Sequence, residues 1–161
     1  MEKKKKTYTY SELHNRAVSS YRKAMTSLAF VGVMNLLGPI LYLVRDNTGY
    51  FPSLVSNVLL FRILSNTSIS DALYVFLTFC IALVFSVTFI VVWASAKSGN
   101  LKAVITGSVL YLIDTILLFI FYLQDSYLIP QLLLHVIVIA FLIAGILNYY
   151  HVYAIERKFK K

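Results

Sequence analysis

Leu101–Leu123 reads LKAVITGSVLYLIDTILLFIFYL, apolar at nearly every position except Asp114 near its middle. About 20 such residues make a helix long enough to cross a bilayer. A carboxylate at that depth costs roughly 2.5–3.5 kcal/mol on insertion scales, so Asp114 is expected to have a partner or a use. Gly107, Tyr111, Asp114 and Leu118 fall on one face of this helix, and Ala103 lies four residues before Gly107. That face is expected to turn inward, with the rest of the chain built around the acid.

Working outward, three more apolar runs have spanning length. The fold class is an all-α integral membrane protein with four transmembrane helices in a bundle, at about 24–44, 71–96, 101–123 and 127–149. An N-terminal amphipathic helix and a short outer re-entrant or interfacial helix complete it. A four-helix transmembrane domain thus covers 10–155, between basic cytoplasmic tails at 1–9 and 156–161. The first tail begins MEKKKK and reads either as an anionic-lipid signal or as a solvated arm, not as a cleaved signal peptide. Thr9 and Glu12 fit a capping box that starts a helix. Leu13, Ala17, Tyr21, Ala24 and Leu28 then recur at helical spacing against a polar face of Glu12, Asn15, Arg16, Ser19 and Arg22.

In the first span, Pro39 lacks an N–H and crowds the carbonyl of Asn35, so a bend is expected there. The bend is either an ordinary proline kink or a broken helix that coordinates a ligand. Residues 45–70 form the longest link. Arg45-Asp46-Asn47-Thr48-Gly49 is a turn signal, and Pro52 precedes an apolar stretch, Leu54–Leu64, interrupted by Ser56, Asn57 and Arg62. That stretch is too short to span. It reads either as a lid over the bundle or as a linker on the lipid. In the second span, Ala82 and Ser86 form a small-xxx-small pair suited to close packing, Cys80 reads as a small buried hydrophobe, and Trp93 as an interface anchor. The short turn Gln124-Asp125-Ser126 leads to the fourth span, where Pro130 sits in the first turn. Gln131, His135, Leu142, Ile146, Tyr149 and Tyr153 share a face there.

Charge settles the orientation. The chain carries 15 Lys and Arg against 7 Asp and Glu, net +8. With the N-terminus inside, thirteen of the 15 basic residues fall on the inner side and only Arg45 and Arg62 outside. Both termini are therefore expected to be cytoplasmic, in a plasma membrane, facing anionic lipids. Basic residues in blocks beside apolar runs, without aromatic interleaving on a soluble face, argue against nucleic acid.

Helical rise of about 1.5 Å per residue puts Asp114 and Asn35 each about 13 Å below the outer surface. His135 falls about 11 Å deep, and Thr78 and Cys80 about 10–14 Å down the second span. Tyr111 is one turn below Asp114. The candidate ligand-binding set is therefore Asp114, His135, Asn35, Tyr111 and Thr78. Asn35 and Tyr111 are expected to donate hydrogen bonds to the carboxylate, and Asp114 and His135 to share a proton or pair as ions.

One cysteine excludes an intrachain disulfide, and the chain lacks HExxH, GxSxG, Walker A and CxxC signatures. No catalytic residue, metal or cofactor is expected. Two functions fit. The first is a polar intramembrane pocket around Asp114 that binds or transports a proton, cation or small polar ligand, in a homo-oligomer or a subunit of a membrane complex. The second is a non-catalytic accessory, immunity or regulatory subunit acting through helix–helix contacts.

Overall fold

The Thr9–Glu12 signal does start a helix. In the computed structural model, which describes residues 9–44, 54–122 and 128–159, helix α1 runs Tyr10–Val44. The Thr9 N–H donates to Glu12 Oε2 at 3.0 Å, the return half of a capping box. These Thr9 bonds, the backbone one first, hold the exposed Glu12 carboxyl below its ordinary 4.5. A lowered folded-state value stabilises the helix start above that ordinary range and is lost as pH falls through the lowered value. Protection of the first-turn amides of α1, taken relative to their intrinsic exchange rates, is therefore expected to fall on acidification, and Glu12→Gln to abolish that dependence.

The remaining elements are α2 (Val55–Ser65), α3 (Asp71–Lys97), α4 (Leu101–Tyr122) and α5 (Leu128–Phe159). Four of the five are long and apolar enough to cross a membrane, by length and composition: Tyr10–Leu41 within α1, and α3, α4 and α5. α1 packs against α3 and α5, and α4 against the same two, so the long helices form a ring with α1 and α4 on its diagonal. Direction follows from the contacts. The start of α1 meets the end of α5, with His14 Nε2 at 3.1 Å from Glu156 Oε1 and the Tyr10 and Phe159 rings 4.9 Å apart. The Tyr21 hydroxyl donates to the Ala96 carbonyl near the end of α3. α3 and α5 therefore run opposite to α1 and α4.

Outer faces are apolar: Phe76, Val84, Ile120, Ile129 and Leu147 are all exposed. Polar side chains lie inside instead, with Asn35, Asn57, Thr78, Ser86, Asp114, Gln131 and His135 buried. Soluble proteins distribute these types the other way round. The small-residue positions bring backbones together, as their spacing predicts. Ala82 and Ser86 are fully buried, and a Cβ built at Gly32 of α1 would lie 3.1 Å from the Ser86 carbonyl oxygen. At Gly107 it is the side chains of Leu28 and Val92 that fill the space a Cβ would take.

Several expectations need correction. The N-terminal amphipathic segment is no separate surface helix. It is the first third of α1, continuous because no Gly or Pro falls between Tyr10 and Val31. Its apolar face, Ala17, Tyr21, Ala24 and Leu28, is buried. α1 also passes uninterrupted through Pro39, so the broken-helix alternative is not met. Cys80 is half-buried rather than fully inside. α5 continues to Phe159, past the expected end near 149–155. Tyr153, placed on the inward face, is 57% exposed, on the wall of an open cavity beside the α3–α4 turn. The basic arm at 1–8, the turn at 45–49, Pro52, the 124–126 turn and the last two lysines lie outside the described residues.

Candidate functional site: a carboxylate that caps a short helix

Every α-helix begins with backbone N–H groups that have no partner within the helix. α2 begins inside the protein at Leu54, in extended conformation and with no side-chain cap of its own. Leucine has no acceptor to supply one. Two other helices provide it. Asp114 of α4 accepts the Val55 N–H on Oδ2 at 3.0 Å, and the Ser56 N–H on Oδ1 at 2.9 Å. The Ser56 hydroxyl donates to the same Oδ1 at 2.8 Å. Asn35 of α1 accepts the Leu54 N–H at 3.1 Å and the Asn57 amide at 2.7 Å, both on Oδ1. Its own amide donates to the Ala82 carbonyl of α3 at 3.5 Å. The negative end of the site thus faces the positive end of the α2 dipole.

This cap explains why the start of α2 is held inside the ring of long helices. Val55, Asn57, Val58 and Phe61 are its buried face. Val55 and Val58 cluster with Leu118 and Tyr122 of α4, and Phe61 with Ala82 of α3. Arg62, near its far end, lies over the Tyr122 ring at 5.0 Å.

His135 of α5 closes the site. Its Nε2 lies 3.2 Å from Asp114 Oδ2, and its Nδ1 lies 2.8 Å from the Gln131 carbonyl oxygen. A carbonyl only accepts, so Nδ1 carries a proton. The Nε2–Oδ2 contact needs a second proton, residing on the ring or on the acid. Asp114 and His135 therefore form a pair that is neutral as a unit and holds one proton between its members. The Tyr111 ring stacks on the imidazole at 5.1 Å and meets Phe89 edge-on, fixing the imidazole plane.

Height counting thus brings Asp114, His135 and Asn35 to one place. Asn35 accepts from the start of α2 and donates to the Ala82 carbonyl, and Tyr111 stacks its ring on His135. Thr78 is buried on α3, one turn from Ala82, and its hydroxyl has no hydrogen-bond partner among the described residues. None of its described contacts joins it to Asp114. The Leu54, Val55 and Ser56 donors and Asn57 were not foreseen as part of the site. Ser56 and Asn57 are helix-start residue types, and that signal was available in the sequence.

The free space at this level is small. A cavity of about 10 Å³ touches Tyr111, His135 and Leu54. Another, about 180 Å³, lies between α3 and α4 and touches Ser56 and Asp114 among apolar neighbours such as Val84 and Leu110. Among the described residues no group of three His, Cys, Asp or Glu side chains is placed to hold a metal. The fold and this centre define an all-helical chain with four helices of membrane-crossing length and a short fifth helix capped from the side. Comparison of the chain with models of protein families, with curated proteins and with solved structures gave no match.

Proposed function

We propose that this chain is a multi-span membrane protein whose polar centre binds a proton and uses it to control the docking of α2. The observation that carries this reading is the set of four contacts on one carboxylate. Three come from the N-terminal turn of α2 and the fourth is the protonated contact to His135. The larger space beside Asp114, about 180 Å³, is walled mainly by apolar side chains such as Val84, Leu110 and Ile113, which favours a proton over a larger polar ligand.

The switch follows from donor counting. With one proton in the Asp114–His135 pair, both carboxylate oxygens accept from α2. A second proton must sit on an oxygen that already faces an N–H or O–H group. The acid then loses its negative charge and one acceptor position, and its hold on the start of α2 weakens. Acidification therefore releases α2. Among the described residues at this level, Asp114 and His135 are the groups that change charge. Asn35, Ser56 and Asn57 facing them are neutral.

Placement in the membrane belongs to the same proposal. Arg22, Lys23, Lys97, Lys102, Arg157 and Lys158 gather at the end of the ring that carries both chain ends, and Arg62 lies toward the other end. That asymmetry supports cytoplasmic termini in a plasma membrane.

Two spin labels test the switch, at Ile63→Cys on α2 and Ile120→Cys on α4, both exposed positions, in a Cys80→Ser background. The interlabel distance is expected to be narrow with the latch closed and to broaden on acidification. Asp114→Asn is expected to broaden it at every pH. A distance distribution indifferent both to pH and to Asp114→Asn would refute the latch.

A further inference from the structure

Tyr21 meets both Ala96 and Tyr149, which fixes the level at which the α3–α4 turn ends beside α1 and α5. About ten residues of α1 and of α5 continue past that level, roughly 15 Å of paired helix at ordinary rise. In the corner between this pair and the turn lies a cavity of about 310 Å³. Arg22 and Lys97 line it, with Ser98, Gly99, Tyr149 and Tyr153. The one carboxylate on its wall, Glu156, is already engaged by His14. No ion pair to Arg22 or Lys97 occurs among the described residues. Lys97 instead rests over the Trp93 ring at 5.1 Å. Gly99, at φ 93, holds the turn in the left-handed region, and a Cβ there would meet nothing within 4 Å. The backbone on that wall is therefore open to a ligand.

We infer that this cavity binds a phosphate-bearing anion, with Arg22 and Lys97 supplying its charge partners. Two cations without an ion pair among the described residues, around a space larger than one phosphate, offer charge partners to an anion from outside the chain. Guanidinium and ammonium groups both bond phosphate oxygens strongly. Arg22, Lys23, Lys97 and Lys102 flank the ends of the apolar segments, which is the headgroup level of a bilayer. A phospholipid headgroup is accordingly the source that the position favours. This inference rests on the membrane placement proposed above and is independent of the Asp114 latch.

The test uses the full chain in neutral detergent and reads the single tryptophan, Trp93, whose ring Lys97 covers. Short-chain phosphatidylglycerol, short-chain phosphatidylcholine and inorganic phosphate are titrated separately. Saturable fluorescence change with phosphatidylglycerol is expected. At least tenfold weaker binding is expected in Arg22→Gln/Lys97→Gln, with each single change weakening it less. Lys97→Arg is expected to keep binding, and so is Lys102→Gln, which removes a basic residue outside the cavity. Inorganic phosphate binding with the same dependence on Arg22 and Lys97 would uphold the site and assign it to a soluble anion. Lipid response without phosphate response would assign it to a headgroup. Equal weakening by Lys102→Gln, or no weakening in the double variant, would overturn the inference, since either shows only general attraction to a basic surface. Asp114→Asn is expected to leave this binding intact, which separates failure here from failure of the latch.

Discussion

Asp114→Ala is expected to destabilise the protein by about 4 kcal/mol or more, the size of loss that leaving several buried polar groups without partners produces. The change leaves the Val55 and Ser56 N–H groups, the Ser56 hydroxyl and the His135 ring facing a methyl group. Each buried donor without a partner costs about 1–3 kcal/mol. In water, the apolar face of α2 would still hold it in place. In a bilayer that hold is weak, because lipid is as apolar as the side chains that α2 would leave. The polar centre therefore decides whether α2 stays. Asp114→Asn keeps one acceptor oxygen but sets an NH2 against a donor, and about 2 kcal/mol is expected. Unfolding in a mild detergent, followed by circular dichroism, measures both. A loss under about 1 kcal/mol for Asp114→Ala would mean that α2 is held by something else.

Gly145→Leu is expected to cost about 3 kcal/mol, by overpacking the α1–α5 contact. A Cβ at Gly145 would fall 1.9 Å from Met25 Cε and 3.5 Å from the Ala24 Cβ. Met25 is fully buried, so its side chain has nowhere simple to go. Between helices in lipid, close backbone approach at small residues is a main source of affinity, and that approach is what the leucine removes. Gly145→Ala is expected to be milder, because only the flexible end of Met25 is in the way. Met25→Ala is expected to relieve Gly145→Ala, giving a favourable coupling in a double-mutant cycle. Additive losses in that cycle would show that the two residues do not meet.

How much was legible in the sequence depends on what kind of atom does the work. The four long helices follow from apolar runs whose length alone matches a bilayer. The faces of α3 and α4 follow from spacing, so Ala82, Ser86, Gly107, Tyr111 and Asp114 point inward as expected. Helical rise is fixed, so counting residues from the ends of runs placed Asp114, His135 and Asn35 at one height. Height says nothing of direction around the axis, however, and Thr78 shares the level without joining the centre. The larger omission is the start of α2. Patterns of side chains do not reveal where backbone N–H groups lack partners, yet Leu54, Val55 and Ser56 contribute just those groups. The acid meets a helix end more than another side chain. The first third of α1 departs from expectation for a related reason. Its polar face resembled that of a surface helix, and only the packed structure shows α3 and α5 covering the other side.

Hydrogen exchange at the Val55 and Ser56 amides, in the full chain reconstituted in a bilayer, bears on the central claim most directly. The account predicts that both amides exchange as slowly as those in the middle of α4, and that Asp114→Ala raises their rates selectively over those in α4. Rapid exchange at Val55 and Ser56 in the unsubstituted chain would show that the carboxylate does not hold the start of α2, and would contradict it.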